Sequence, residues 1–452
     1  MRAGRHARLA HHSPSRLANL PLTHGRARRG RTGGALVAAS VVTATERPAV
    51  ELPSRRNVWA VSITSLLTDA STETLTGLLP FYLTQALGAP PSAVGLIEGV
   101  GETTASLVKL ASGWVSDRWR RRKPLAVFGY GLSTAAKATL LVARSWPLVL
   151  ASRFLERGGK GVRTAPRDAL LADSLSAGSR GLGFGLHRAA DTFGAVIGLT
   201  AALVVTLAAG AATRMSIGAF RVAVVVSLIP AAAAVLVLAL VAREIRPAPT
   251  AGEGQSGPLV PRRPRFRWFL AAVVVFTLGN STDAFLLLRA QTVGMTIPAS
   301  LGVLILLNVV HAALAAPAGR LSDRVGRRSV LIAAWGIYAA VYLAMALARK
   351  PWQVWAILAV YGAYYAANEG VAKAFVGDLV PGPERGRAYG AYHAAIGIAA
   401  LPASVVAGYL WQALGPGAPF LLGAGLAALA TIVLWGLPSG ASDPITAAPA
   451  AG

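Results

Sequence analysis

The chain has 452 residues, of which 54% are hydrophobic and only 14% charged, and its mean hydropathy is +0.53. Soluble domains carry about 25% charged residues, so a compact water-soluble fold of this composition, such as a large Ala-rich enzyme, would expose extensive apolar patches and is set aside. The net charge of +25 sits in tails and short connections between apolar runs, which is the pattern of a membrane boundary rather than of a nucleic-acid-binding surface. Cysteine is absent, which excludes disulfides, thiolate catalysis and cysteine metal sites.

Residues 1–56 hold eleven arginines among scattered Gly, Ser and Pro, and read as a disordered, basic cytoplasmic tail rather than a signal peptide. Twelve apolar runs follow, at 58–82, 93–115, 125–144, 147–170, 184–208, 218–241, 268–290, 297–317, 330–348, 353–375, 388–410 and 417–436. Runs of about 18 to 24 residues cross a hydrocarbon core about 30 Å thick as helix. Many are rich in Ala and Gly, which let helices approach closely inside a membrane. The fourth and seventh runs contain the most polar groups. Five of the six residues at 118–123 are basic, and Arg or Lys is also dense in the N-terminal tail, in 242–267 and in 324–328. The connections at 83–92 and 411–416 carry neither. An even number of crossings with both termini in the cytoplasm satisfies this bias better than eleven would.

The chain repeats itself weakly. GWVSDRWRRRKPL at 113–125 matches GRLSDRVGRRSVL at 319–331, an offset of 206. RDALLADSLSAGSRGLGFGLHR at 167–188 resembles VAKAFVGDLVPGPERGRAYGAYH at 371–393, placing Asp173 and Arg180 opposite Asp378 and Arg385 at an offset of 205. The expected fold is an all-α membrane protein with 12 transmembrane helices in two pseudo-symmetric six-helix bundles, 57–241 and 268–437. A Pro- and Gly-rich cytoplasmic linker at 242–267 joins them, and 438–452 is a C-terminal tail.

These motifs resemble the major facilitator superfamily, whose most recognisable signature is GxxSDRxGRR after the second and again after the eighth span. The second copy matches fully, while the first has Trp119 and Arg120 where the pattern has a variable residue and Gly. RFLERGGKG at 153–161 is a looser version of the family's fourth-span motif, and the resemblance covers roughly residues 57 to 437. SDRWRRRKPL, ERGGKGVRTAPRDALLAD and GFGLHRAADTFGA resemble a prokaryotic, efflux-like branch. The resemblance implies the family's fold and a gating role, latching the halves in the outward-open state, for Asp117, Arg118 and Arg121 and for Asp323, Arg324 and Arg327. Physically, each Asp would either pair with nearby arginines or cap the positive end of a neighbouring helix. The duller reading is that the arginines only set topology.

Ionisable groups at membrane depth are costly and point to function. Asp69 and Glu73 lie four apart in the first span, as do Glu98 and Glu102 in the second, so each pair shares a helix face. Lys109 follows seven residues beyond Glu102. The fourth span supplies Arg153, Arg157, Lys160, Arg163 and Arg167. In the family an arginine at the Arg153 position often influences proton transfer, which makes Arg153 the expected partner of a first-span carboxylate. Asp283 and Glu369 are candidates for the cavity in the second half, against the alternative of structural ion pairs. Trp335, Tyr361, Tyr364 and Tyr365 either line that cavity or fill packing gaps. His187 reads as interfacial or proton-sensitive.

No nucleotide-binding loop is present, so a proton gradient is the simplest energy source. A buried carboxylate can take a proton on one side and release it on the other, and Asp69 or Glu102 is the expected carrier. The expectation is a monomeric secondary transporter in the cytoplasmic membrane exporting a small solute against protons. The alternative is a proton-coupled importer or facilitator of a small metabolite such as a sugar, organic acid or siderophore. A receptor on the same scaffold or an enzyme is less supported, and no cofactor, metal or nucleic-acid partner is implied.

Overall fold

The computed structural model describes residues 55–119, 121–175, 180–245, 260–381 and 384–437. Most of the expected N-terminal tail, the centre of the linker and the C-terminal tail lie outside the described residues.

The described chain is all α-helical. In order, the helices are α1 Arg55–Thr76, α2 Leu79–Phe81, α3 Pro91–Trp119, α4 Arg122–Thr139, α5 Trp146–Asp173, α6 Arg180–Ala208, α7 Ile217–Val241, α8 Pro264–Gly279, α9 Ala284–Thr292, α10 Ile297–Val325, α11 Arg327–Leu347, α12 Pro351–Asp378, α13 Arg385–Leu414 and α14 Ala418–Trp435. A wider π-helical turn, Tyr82–Ala86, continues α2. Several helices open with Pro at the first positions, where its missing N–H costs nothing.

Seven stretches among the described residues are long and apolar enough to cross a membrane: Leu186–Ala208, Ile217–Val241, Pro264–Thr292, Ile297–Val325, Arg327–Leu347, Arg385–Leu414 and Ala418–Trp435. The twelve runs expected from sequence all coincide with helix, but α1, α3, α4, α5 and α12 are too polar to meet that criterion. Their polar groups turn inward: Ser152, Arg153, Glu156, Arg157 and Arg163 of α5 are all buried. A second correction concerns 268–290, which is not one helix but two, interrupted at Asn280–Asp283. The break falls where Gly, Asn, Ser and Thr follow one another.

Packing divides the contacts by position in the chain. In the first half α1 lies on α6 and α7, and α5 on α3 and α4. In the second, α12 lies on α10 and α11, and α14 on α8 and α11. Contact between the halves runs along α3 with α13 and along α6 with α10. The α3–α13 crossing is close because of glycine: a Cβ on Gly95 would lie 2.1 Å from the Ser404 carbonyl oxygen.

The two ends of the molecule differ. At the end bearing Gln85, the Gln85 side chain donates to Gln291 Oε1 (2.9 Å) and accepts from the Met215 N–H (2.7 Å). There Ile297 N–H also donates to the Ala212 carbonyl (2.9 Å), and Tyr82 stacks on Phe220 with ring centroids 3.8 Å apart. The opposite, basic end carries the two SDR turns. The second turn needs its glycine, because Gly326 has φ 91°. The corresponding Arg120 of the first copy lies outside the described residues.

Gly95→Val is expected to destabilise the protein by about 1–3 kcal/mol through overpacking against α13. Gly131→Ala, where an added Cβ meets nothing within 4 Å, should be neutral or slightly stabilising. Thermal unfolding in mild detergent separates the two; equal melting points for both variants would refute the packing argument.

Candidate functional site

Inside the first half, α5 presents its cations to α3. The Arg153 guanidinium donates to both oxygens of Glu98 (2.9 and 3.1 Å) and to Glu156 Oε2 (3.0 Å). Arg157 lies 3.5 Å from Glu98, 3.6 Å from Glu156 and 3.8 Å from Glu102. The side chains of Arg153 and Glu156 are 5% and 2% exposed, so each depends on the other for its charge to be tolerated there. Glu98 and Glu102 do share one face of α3, and Arg153 and Arg157 repeat the same spacing on α5. This corrects the expected pairing of Arg153 with a first-span carboxylate. Helix α5 packs broadly on α3 and only at a few points on α1, so its arginines face the α3 acids.

Asp69 and Glu73 on α1 are only partly buried, and among the described residues neither has a hydrogen bond or ion pair to its carboxylate. Lys160, Arg157 and Arg153 lie within electrostatic reach of Glu73, and Lys160, Arg163 and Arg167 within reach of Asp69. The neighbouring Lys137 does not answer them: its ammonium donates to Ser71 Oγ (2.8 Å) and Thr72 Oγ1 (2.9 Å). Arg163 donates to Ser133 and lies over the Tyr130 ring, and Arg167 pairs with Asp168. His187 is buried, 3.7 Å from Asp191 and 3.5 Å from Ser65.

In the second half, the helix break is held by tyrosines. The Tyr338 hydroxyl donates towards the Gly279 carbonyl (3.2 Å) and Asn280 Oδ1 (3.1 Å), and Tyr342 towards the Ser281 carbonyl (3.4 Å). Backbone freed at membrane depth is thereby satisfied by neighbouring helices. Asp283 closes the break; Tyr361 donates to one of its oxygens (3.1 Å) and Tyr365 to the other (2.7 Å). Trp335 is buried, stacks on Phe276 and donates to Asn368, so it packs the wall behind the site.

A cavity of about 500 Å³ lies between the halves. Glu73, Glu98, Glu102, Arg157 and Arg188 line it from the first half, and Asn280, Asp283, Asn308, His311, Tyr365 and Glu369 from the second. Of the expected site residues, Asp69 and Arg153 stand outside its lining. Towards the basic end its residues remain accessible, with Glu102 49% exposed. Arg188 crosses that side to Glu369 at 2.6 Å, and Glu369 also meets Lys373 (3.3 Å) and His311 (3.7 Å). Sequence names Arg157 only as one of the fourth-span cations and does not link Arg157 or Arg188 to a partner in the cavity. The matched four-residue spacing of α3 acids and α5 bases was the available signal for Arg157; nothing in the sequence links Arg188 to Glu369.

At the basic end, the SDR turns are tied differently from expectation. Arg122, not Arg121, bridges to Asp173 (2.8 Å), and Arg327 bridges to Asp378 (3.0 Å). The two arginines each open a helix, and the 205-residue offset of the second repeat, rather than the 206 of the first, relates them. Arg327 also lies 3.6 Å from Asp323, whereas Arg121 and Arg324 are exposed and make no ion pair among the described residues. Arg118 lies over the Trp114 ring, and the side chain of Asp117 is outside the described residues. The start of α4 is capped by Glu244, which accepts from the N–H groups of Arg122 (2.8 Å) and Lys123 (3.0 Å).

The chain matches the family model of the Major Facilitator Superfamily over residues 61–311 and 303–451. It belongs to that superfamily. The match is to the superfamily as a whole rather than to an efflux-type branch. An uncharacterised MFS-type transporter of Methanocaldococcus jannaschii is 33% identical over 386 residues, 84% of this chain and 94% of the relative. The class C tetracycline resistance protein of Escherichia coli is 37% identical over 139 residues, 30% of this chain and 35% of that protein. Among solved structures, a D-xylose-proton symporter superposes with a TM-score of 0.69 at 14% identity, covering 85% of this chain and 98% of its own. The superfamily is one of transporters, not enzymes. This member is a multi-pass membrane protein that moves a small solute by secondary active transport.

Replacing Arg153 by Gln leaves Glu98 short of a partner and Glu156 buried with only the weaker Arg157 contact. The variant is expected to lose about 3–5 kcal/mol of stability. The Arg153→Gln/Glu156→Gln double variant should recover part of that loss. Unfolding in detergent as a double-mutant cycle measures the coupling, and strict additivity would argue against a shared buried network.

Proposed function

We infer that the protein is a proton-coupled symporter that brings a small polar solute into the cell. In this reading the twelve long helical stretches make twelve crossings, arranged as six-helix halves at 57–241 and 268–437, with 242–267 as the cytoplasmic linker. The basic turns then face the cytoplasm, as positive-inside bias requires, with both termini on that side of the cytoplasmic membrane. The cavity, accessible from the basic end and sealed beyond Gln85, is that of an inward-facing state. The bridges Arg122–Asp173 and Arg327–Asp378 are the inner-end ties that must rearrange when the halves rock.

The observation that carries the reading is Glu73. It lines the cavity without hydrogen bond or ion pair among the described residues, while Glu98, Glu102 and Glu369 are each met by an arginine. A carboxylate at membrane depth with no fixed partner is suited to carry a proton, and Asp69 one turn away offers the next station. Protonation couples to transport by favouring one of two conformations. This moves the expected carrier from Glu102, which Arg157 already engages, to Glu73 with Asp69. Symport accords with the overall likeness to the D-xylose-proton symporter. Export against protons is the second reading, favoured by the local identity with the tetracycline resistance protein.

The sign of proton movement distinguishes them. Vesicles containing the purified protein and a pH-sensitive dye are offered a metabolite panel from outside. Symport acidifies the lumen as solute enters, whichever way the protein is inserted, and antiport alkalinises it. Glu73→Gln is expected to abolish the proton signal while solute exchange without a gradient persists. Proton movement unchanged in Glu73→Gln would remove Glu73 from the coupling path.

A further inference from the structure

Asp283 carries a demand that the proton reading leaves unanswered. It stands directly before α9, yet its side chain makes no capping bond to that helix. Its two oxygens instead accept from Tyr361 and Tyr365, and it borders the cavity. Hydrogen bonds of this kind, and the positive end of α9, support a charged carboxylate. No Arg, Lys or His pairs with it among the described residues, although every other acid of the cavity wall except Glu73 has such a partner. The carboxylate is held there by two hydroxyls, and among the described residues no cation complements it.

The surroundings indicate what would. Tyr361 and Tyr365 meet edge to face at 5.0 Å, and the His311 ring lies 5.7 Å from that of Tyr365. Tyr361 is fully buried outside the cavity lining, whereas Tyr365 faces the cavity, so an ammonium group reaching Asp283 is met by charge and by cation–π attraction to the Tyr365 ring. Helix α8 ends against the same space, with Thr277, Asn280, Ser281 and Thr282 in the lining, so the negative end of its dipole adds to the preference for positive charge. An anion finds little here: Arg157 is shared among three carboxylates and Arg188 is engaged by Glu369. A neutral solute would bond to Asn280 and Asn308 but leave Asp283 uncompensated, which discriminates against it. A cavity of about 500 Å³ is of the size that holds a small organic molecule.

We propose that the transported solute is a small organic cation whose amine docks on Asp283 beside Tyr365, with its polar groups on Asn280 and Asn308. The proposal rests on the transport reading above and divides the labour: Glu73 and Asp69 in the first half handle the proton, and Asp283 in the second handles the solute's charge.

The test is equilibrium binding to the purified full-length protein in detergent, without any gradient. The probes are phenethylamine, putrescine and glucosamine, each with its fully N-acetylated neutral form (both amines acetylated in putrescine) and the corresponding carboxylic acid. At least one amine is expected to bind about tenfold or more tightly than its matched neutral and acidic forms. Asp283→Asn should weaken that amine by about 10- to 100-fold and erase the preference. Should Asp283→Asn fail to fold, Tyr365→Phe reports in its place, with about 3- to 10-fold weaker amine binding and no change for the neutral form. Equal or tighter binding of a neutral or acidic form overturns the proposal. So does amine binding unchanged by Asp283→Asn, or, where that variant does not fold, by Tyr365→Phe, and so does no amine binding up to about 10 mM. Those results leave proton symport of another solute intact. Amine binding without solute-driven proton movement in vesicles would instead remove the symport reading alone.

Discussion

The need to pair charge away from water governs the first half of this protein. Arg153 and Arg157 are one helical turn apart on α5, as are Glu98 and Glu102 on α3, so the two helices meet rung on rung. Glu156 completes the set from within α5 itself. Breaking such a pair leaves an uncompensated charge in a medium that cannot solvate it, so sliding one helix past the other by a single residue is costly. The register of α5 on α3 is fixed this way, and with it one wall of the cavity. Because these cations are spent on α3 and α5, Glu73 stands apart on that wall, with Asp69 one turn away, and neither has a fixed partner among the described residues.

The second half solves the same problem with hydroxyls. Tyr338 and Tyr342 absorb the carbonyls freed by the α8–α9 break, and Tyr361 and Tyr365 hold Asp283. The halves therefore agree where they turn at the basic end, with Arg122–Asp173 mirrored by Arg327–Asp378, and diverge where they face the cavity. A repeat that retains its hinges while its inner walls differ gives a machine symmetric in movement and asymmetric in recognition. Glycine at the α3–α13 crossing lets the two walls approach closely enough to enclose the space between them.

The apolar runs placed every long helix, because a stretch of that length without frequent charge has few other stable conformations in a membrane. The repeat located both SDR turns. What sequence could not tell was which side of a helix faces which neighbour. The family resemblance points Arg153 towards α1, but the packing of α5 on α3 brings it to Glu98. The repeat at an offset of 206 aligns Arg121 with Arg327, whereas the start of α4 at Arg122 determines which arginine reaches Asp173. The polar run at Asn280–Asp283 was visible as composition but not as a break, since that depends on tyrosines some sixty to eighty residues away to satisfy the backbone and Asp283. Arg188 and Glu369, 181 residues apart, carried no local sign of each other.

The two ends of the cavity are fastened by different kinds of force. Beyond Gln85 the fastening is neutral, amide to amide and backbone to backbone, within a partly buried setting. On the basic side it is the Arg188–Glu369 ion pair, whose side chains are 54% and 33% exposed. An ion pair so open to water contributes on the order of 0 to 1 kcal/mol and is weakened by dissolved salt, whose screening distance is about 8 Å at physiological strength. Neutral amide bonds feel almost none of this. Ionic strength on the basic side therefore acts on one fastening and spares the other, which makes the cell's salt content a bias on how readily this cavity stays bridged.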